Sequence, residues 1–353
     1  MRILFLAPNY VGLQKPIIDE MERQGHEVVW VEDIDLPYNF RIPRAGLNKL
    51  RCRINAFFRQ PHKNFWDKTL KERKDEFSKP FNLFFCINGR TLCPELFDYL
   101  HKYSNGIRKV LYVWDTQKVF DFYYYKAQFD KCMTFDFEDS QQLDGVEYLP
   151  FYWFDDATQV ETTIKYDISI IGTDHDGRFN IVEKILPQVK AQKLSYFFKI
   201  KIFQPDLSYI FLYRLRLRFS KLIQQVVASN AKEYQRRLST EIAMTSDIPP
   251  AQYMQIINES ACILDTDRAT QTGVTPRAIW ALSHGKKIIT TNTNLLKAPF
   301  YNPKQILIID RDNPILDNAF ISNKETFQQH SYIQALHIEK WIRNFTECRI
   351  TEY

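Results

Sequence analysis

The feature that most constrains this chain is a strand–loop–helix opening that occurs twice. At the amino end "RILFLA" is a continuous apolar run and "PNYVG" a loop. "LQKPIIDEMERQG" is an amphipathic helix closed by Gly25, and "HEVVWVE" is a second apolar run. From position 166, "YDISIIGTDHDGRFNIVEKIL" starts again with strand, Gly-containing loop and helix. Short apolar runs alternating with helices predict parallel sheets covered on both faces. Two such restarts in a chain of 353 residues predict an α/β protein of two Rossmann-like domains facing a cleft. The expected division is 1–155, 156–330 and a C-terminal helix over 331–353 that packs back on the N-terminal domain.

The rest of the chain fits this frame. "FNLFFCI", "KVLYVWD", "KCMTFD" and "VEYLPF" read as further strands of the first half, with a helix near 94–103. Residues 34 to about 80 are irregular, aromatic and basic, and suit a lid, a long loop or added helices. Phe151 to about Lys165 reads as a linker, and 322–346 as helical. Asp19 and Glu20 lie within the first helix and read as solvated, and His26 as structural. Ligands in doubly wound sheets bind beyond the carboxyl ends of the strands. Those ends carry Asn9, Asn88, Asp115, Gly172 and Thr173, then Asp265 to Asp267, and Thr291 and Asn292.

Composition narrows the class. Hydrophobic residues at 45% and aromatics at 15% can fill two cores. A net charge of +5 tolerates an anionic ligand or membrane surface without implying nucleic acid. The six cysteines are scattered with no metal-ligand spacing, so a reducing, cytoplasmic setting is expected. No apolar run approaches the length of a membrane span. His175 sits between Asp174 and Asp176, but without a third ligand at suitable spacing no metal is expected.

"TGVTPRAIWALSHGKKIITTN", 272–292, is the most informative segment. Thr275 can cap a helix that Pro276 begins, and Gly285 suits the left-handed position after it. Such a helix start attracts anions, because its free N–H groups and dipole point outward. Arg277 lies in its first turn and suits bidentate phosphate contact. The alternative is an ordinary helix–strand unit with a surface arginine.

With "YVWDT", "YDISIIGTDHDGR", "CILDTDRATQTGVTPRAIWALSHGKKIITTN" and "FYNPKQILIIDRDN", the chain resembles bacterial GT-B glycosyltransferases. Nearest are the glycosyl transferases group 1-like and spore-maturation-like proteins of lipopolysaccharide and capsule biosynthesis. The similarity runs over about 81–345 and weakens over 34–80. Gln271, Gly273, Thr275, Arg277, Gly285, Lys286, Thr290, Thr291 and Asn292 match the family pattern in order. The resemblance implies transfer from a nucleotide-sugar, used as a substrate rather than a cofactor, with no obligatory metal. It assigns the acceptor to the N-terminal domain and the donor to the C-terminal one. Arg277 and the helix start would hold the leaving phosphate, with Gly172, Thr173 and Arg178 as a second cradle. Asp115 is the candidate base, or else a helix N-cap or loop carboxylate capping "TQKVF"; Asn9 and Asn88 would line the acceptor side.

One departure stands out. Trp280 occupies the position where many relatives carry a ribose-binding Glu, and an indole accepts no hydrogen bond. Asp265 or Asp267 takes over, stacking holds the nucleotide, or donor binding is lost. "DTD" at 265–267 also resembles the metal-binding Asp-x-Asp of GT-A enzymes, but it occurs late, in a second repeat. A basic aromatic stretch at 197–223, with Lys199, Lys201, Arg214, Arg216, Arg218 and Lys221, suits either an anionic membrane surface or a solvated face. No nucleic-acid-binding motif accompanies it. The leading expectation is a cytoplasmic or membrane-peripheral glycosyltransferase acting on lipopolysaccharide core, O-antigen or capsule. A non-catalytic binding module of the same fold and a sugar-nucleotide epimerase are the competitors.

Overall fold

A computed structural model describes residues 1–34, 36, 60–155, 163–203, 232–246, 248–323, 325 and 327–347. The chain forms two compact units. One comprises Met1–Phe154, Ala269–Ile279 and Ser331–Tyr353; the other comprises Asp155–Arg268 and Trp280–His330.

The first unit is built on six parallel strands in the order β2-β1-β3-β4-β5-β6. They are β1 (Arg2–Ala7), β2 (Glu27–Glu32), β3 (Leu83–Ile87), β4 (Arg108–Val113), β5 (Lys131–Thr134) and β6 (Val146–Tyr148). Every residue of β1 and β3 is buried, the pattern a central parallel strand needs because both its faces are covered. Helix α1 (Gln14–Arg23) follows β1, and α2 (Gln60–Glu72) lies in the stretch the sequence left open between lid, loop and helix. Trp66 of α2 is buried, and its indole N–H donates to Thr91 O at 2.8 Å. Helix α3 (Pro94–Tyr103) precedes β4, and α4 (Phe137–Gln142) precedes β6.

The second unit has six parallel strands in the order β12-β11-β10-β7-β8-β9. They are β7 (Tyr166–Thr173), β8 (Tyr196–Lys201), β9 (Ala243–Met244), β10 (Ser260–Asp265), β11 (Lys287–Thr290) and β12 (Ile306–Ile308). Read from β9, this is the doubly wound order 3-2-1-4-5-6, whose direction reverses between β7 and β10. Helices α5 (Arg178–Ala191), α6 (Pro250–Asn258) and α7 (Pro276–Ser283) connect its strands. Phe179, Val182 and Ile185 of α5 pack with Ile168, Ile170 and Leu264 in its core.

Three sequence expectations need correction. The segment read as the start of a linker is packed: Phe151 and Tyr152 are buried, and Trp153 exchanges backbone hydrogen bonds with Leu336 and Ile338. The tail is not one helix but a short turn of helix, Ser331–Ala335, followed by α8 (Ile338–Thr346). Trp341 and Phe345 of α8 are fully buried, with Phe345 stacked on Phe85 at 4.3 Å and Trp341 edge-on to Tyr112 at 5.1 Å. Each such aromatic contributes about 2 kcal/mol or more by burial, which ties the end of the chain to the first sheet. Glu20 is buried rather than solvated; its carboxylate accepts from Arg23 and Gln24.

No helix among the described residues is long and apolar enough to cross a membrane. Cys86, Cys93, Cys132 and Cys262 are free and buried. Most of the basic stretch 197–223, with Arg214, Arg216, Arg218 and Lys221, lies outside the described residues. Lys199 and Lys201 are in β8, where Lys199 Nζ donates to Glu241 O at 2.7 Å.

Candidate functional site

The segment singled out in the sequence forms a loop, then α7, then β11. Thr275 Oγ1 accepts from Ala278 N at 3.1 Å, so the threonine caps the helix that Pro276 begins. Arg277 lies in the first turn and is 8% exposed. At the other end Gly285 has φ +64°, and Lys286 N closes back on Ala281 O at 2.9 Å. A side chain at 285 would meet Phe327 O at 2.5 Å, so the helix stop requires glycine for space as well as conformation.

The loop before α7 is fastened within the first unit. Asp136 is 1% exposed and stands at the N-cap of α4, accepting from Asp139 N at 3.1 Å. The same carboxylate accepts from Thr272 N at 2.6 Å, Thr272 Oγ1 at 2.8 Å and Gly273 N at 3.2 Å. Gly273 approaches so closely that a Cβ there would lie 2.4 Å from Phe135 O. Gln271, beside this joint, is half-buried. Sequence reasoning missed Asp136. Its position, an Asp between an apolar run and a Glu-Asp pair, carries an N-cap signal, but nothing local points to residues far along the chain.

The other expected donor-side residues lie within the second unit. Asp265 is fully buried, and its Oδ2 accepts from Thr290 Oγ1 at 3.1 Å. Thr290 Oγ1 also accepts from Asn292 N, and Asn292 Oδ1 accepts from Asn294 N at 3.0 Å to cap the turn after β11. Lys286 Nζ donates to Asn258 O at 2.6 Å at the end of α6, and burial lowers its pKa. Trp280 is 9% exposed and meets Tyr253 edge-on at 5.6 Å.

Gly172 and Thr173 end β7, beside β10 at the point where the sheet order reverses. Arg178 turns inward there. Its Nε donates to Thr266 Oγ1 at 2.7 Å, Nη2 to Thr266 O at 2.9 Å and Nη1 to Thr173 O at 2.5 Å. The guanidinium therefore joins the carboxyl ends of β7 and β10. The first turn of α5 already holds a carboxylate of the chain itself, because Asp174 Oδ1 accepts from Phe179 N at 2.9 Å. Asp267 pairs with Arg311 at 2.9 Å and accepts from Thr291 Oγ1, while burial raises its pKa. His175 is held neutral: burial, then the charges of Arg268 and Arg178, press its pKa down to about 4.

In the first unit, β3 is followed directly by Asn88, a buried residue with φ +63°. Its amide orients the next strand end, with Oδ1 accepting from Trp114 N at 3.0 Å and Nδ2 donating to Asp115 Oδ2 at 3.2 Å. Arg90 Nη2 donates to the same oxygen at 3.0 Å. Asp115 does not itself cap a helix; the chain turns through Thr116 to Val119 before a short 3-10 helix, Phe122–Gln128. The turn Gly89–Thr91 that carries Arg90 is held by Asp33, whose carboxylate accepts from Gly89 N, Arg90 N, Thr91 N and Thr91 Oγ1. Burial raises Asp33 to about 6 against those hydrogen bonds. Asn9 is exposed after β1, and its Oδ1 accepts from Gln14 Nε2 at 2.9 Å.

No family model matches the sequence, and no curated protein matches it. Solved structures do match. An alpha-glucosyltransferase in complex with UDP and a 13-mer DNA containing an HMU base aligns with a TM-score of 0.51 at 11% identity, covering 98% of this chain and 94% of that one. A sucrose-phosphate synthase from Thermosynechococcus elongatus aligns with a TM-score of 0.49 at 9% identity, over 98% of both chains. The apo form of WaaB, a lipopolysaccharide outer core galactosyltransferase, aligns with a TM-score of 0.45 at 12% identity, over 98% of both chains. The first likeness shows a shared fold, the two Rossmann-like sheets of the GT-B glycosyltransferases.

Proposed function

We propose that this protein is a glycosyltransferase that moves a sugar from a nucleotide-activated donor, UDP-linked in the first instance, to a bacterial surface glycan. One observation carries the reading: the fold matches, nearly end to end, a glucosyltransferase described in complex with UDP. The segment from Gln271 to Arg277 supports it: Thr275 caps α7, and its first turn carries Arg277, a residue type suited to a leaving diphosphate. The sequence resemblance to the lipopolysaccharide and capsule group supports the acceptor class.

In this reading the bond between the anomeric carbon and the phosphate oxygen breaks while the acceptor hydroxyl bonds to that carbon. The nucleoside diphosphate departs toward Arg277 and the first turn of α7, so no metal is required. Asp115 takes the acceptor proton, with Asn88 and Arg90 fixing its orientation. The ribose is held without a carboxylate at 280, by stacking or by Asp267. A cytoplasmic location is consistent with the free, buried thiols.

Calorimetric titration and thermal shift with UDP-, GDP-, CMP- and ADP-sugars test the donor. We expect UDP binding that persists in EDTA and weakens at least about tenfold in Arg277→Ala. No binding by any nucleotide would refute the reading. The acceptor is tested with radiolabelled donor against surface oligosaccharides and, given the DNA in the matched structure, against duplex DNA. A second reading, a non-catalytic module of the same fold, rests on Trp280 packed against Tyr253. It predicts glycan binding without nucleotide binding.

A further inference from the structure

We infer that Asp136 is the positioning residue of the donor loop, acting through Thr272 and Gly273 on the start of α7. The inference rests on the donor reading above. A buried carboxylate is costly to keep unless its lone pairs are satisfied. Asp136 has two donors on each oxygen: Asp139 N and Thr272 Oγ1 on Oδ1, Thr272 N and Gly273 N on Oδ2. Only the first of these belongs to its own helix. The other three lie more than a hundred residues away in sequence, just ahead of the Thr275 cap.

The joint is double-sided. Thr272 Oγ1 accepts in turn from Glu138 N at 2.8 Å, so the hydroxyl bridges the carboxylate and the first turn of α4. Gly273 has no room for a side chain against Phe135 O at 2.4 Å and the Phe135 ring at 2.5 Å. A polar clamp and a steric fit therefore act on adjacent residues. Two residues separate Gly273 from Pro276, so fixing the former sets where α7 begins and where Arg277, in its first turn, is placed. In the donor reading Arg277 holds the leaving phosphate, so its contact depends on that placement, and a displacement of about 1 Å at a reacting centre can cost about 100-fold in rate.

Asp136→Asn, Gly273→Ala, their combination, Thr272→Val and Thr272→Ser test this in the full-length chain. UDP affinity is read by calorimetry, donor KM and kcat by initial rates, and folding by thermal unfolding. Asp136→Asn, Gly273→Ala and Thr272→Val are each expected to weaken UDP binding about tenfold and to raise donor KM in step. Acceptor KM stays near the wild-type value, which a general loss of structure would not produce. Thr272→Ser, which keeps the hydroxyl, retains wild-type affinity. The double variant binds UDP no more weakly than the weaker single, because both changes break one joint. If Asp136→Asn does not fold, Thr272→Val removes one arm of the clamp and decides the matter. Folded variants with wild-type UDP affinity and donor KM overturn the inference while leaving the donor reading intact. A wild-type chain that binds no nucleotide removes the donor reading first, and this inference with it.

Discussion

Arg178 separates a structural role from a ligand-binding one, and its replacement by Met gives the sharpest prediction. Arg178 is 8% exposed, and its guanidinium donates to two backbone carbonyls and a hydroxyl at the ends of β7 and β10. Hydrogen bonds from a charged donor contribute about 1.5–3 kcal/mol each, but taking the charge from water costs several kcal/mol in return. Met keeps most of the apolar stem and leaves the Thr173 and Thr266 carbonyls short of a donor, at about 1–3 kcal/mol apiece. The net loss is about 3 kcal/mol. For a unit of this size that lowers the unfolding midpoint by about 6–12 °C. Scanning calorimetry should show the fall in the transition of the second unit alone. UDP affinity, measured well below that transition, should change by less than about threefold. An unchanged midpoint with a large loss of UDP affinity would refute the clamp and make Arg178 a phosphate ligand.

Three further outcomes are expected. Asp115→Asn should leave UDP affinity near normal and lower turnover by about 100-fold or more; equal turnover in paired initial-rate assays removes Asp115 as the base. His175, with its pKa pressed down from 6.5 to about 4, contributes stability that is present above about pH 6.5 and lost as pH falls through about 4. His175→Gln should therefore flatten the pH dependence of the urea midpoint across that window, and an unchanged slope would show that the imidazole protonates as freely folded as unfolded. Val11 is β-branched yet has φ +51° beside Gly12 at φ +76°. Val11→Gly should raise the melting temperature by a few degrees, since relief of about 1–3 kcal/mol of strain exceeds the entropic cost of glycine. A lower melting temperature would show that the Val11 side chain contributes more than the strain costs.

The elements of this protein were legible because they are local. "RILFLA" and "FNLFFCI" announce central strands by being apolar throughout, and both are buried on every residue. Thr275, Pro276 and Gly285 mark the two ends of α7 through rules that act within a few residues. The break in the tail was less legible, because Leu336 and His337 interrupt an otherwise helical pattern only by pairing with Trp153.

What the sequence determined, then, is the alphabet of the fold: its strands, its helices and their parallel alternation. Tertiary structure alone decided which strands became neighbours, and so placed the reversal between β7 and β10. It also decided which polar side chains face inward. Arg178 reads as a phosphate ligand from its place after a Gly-containing loop, yet it ties two strand ends together. Asp136, which went unnoticed in the sequence, caps its own helix and also grips Thr272 and Gly273. The physical reason is common to both. A buried charge must find its partners wherever the chain brings donors or acceptors within about 3 Å, and that proximity is a property of the folded path rather than of the neighbouring residues.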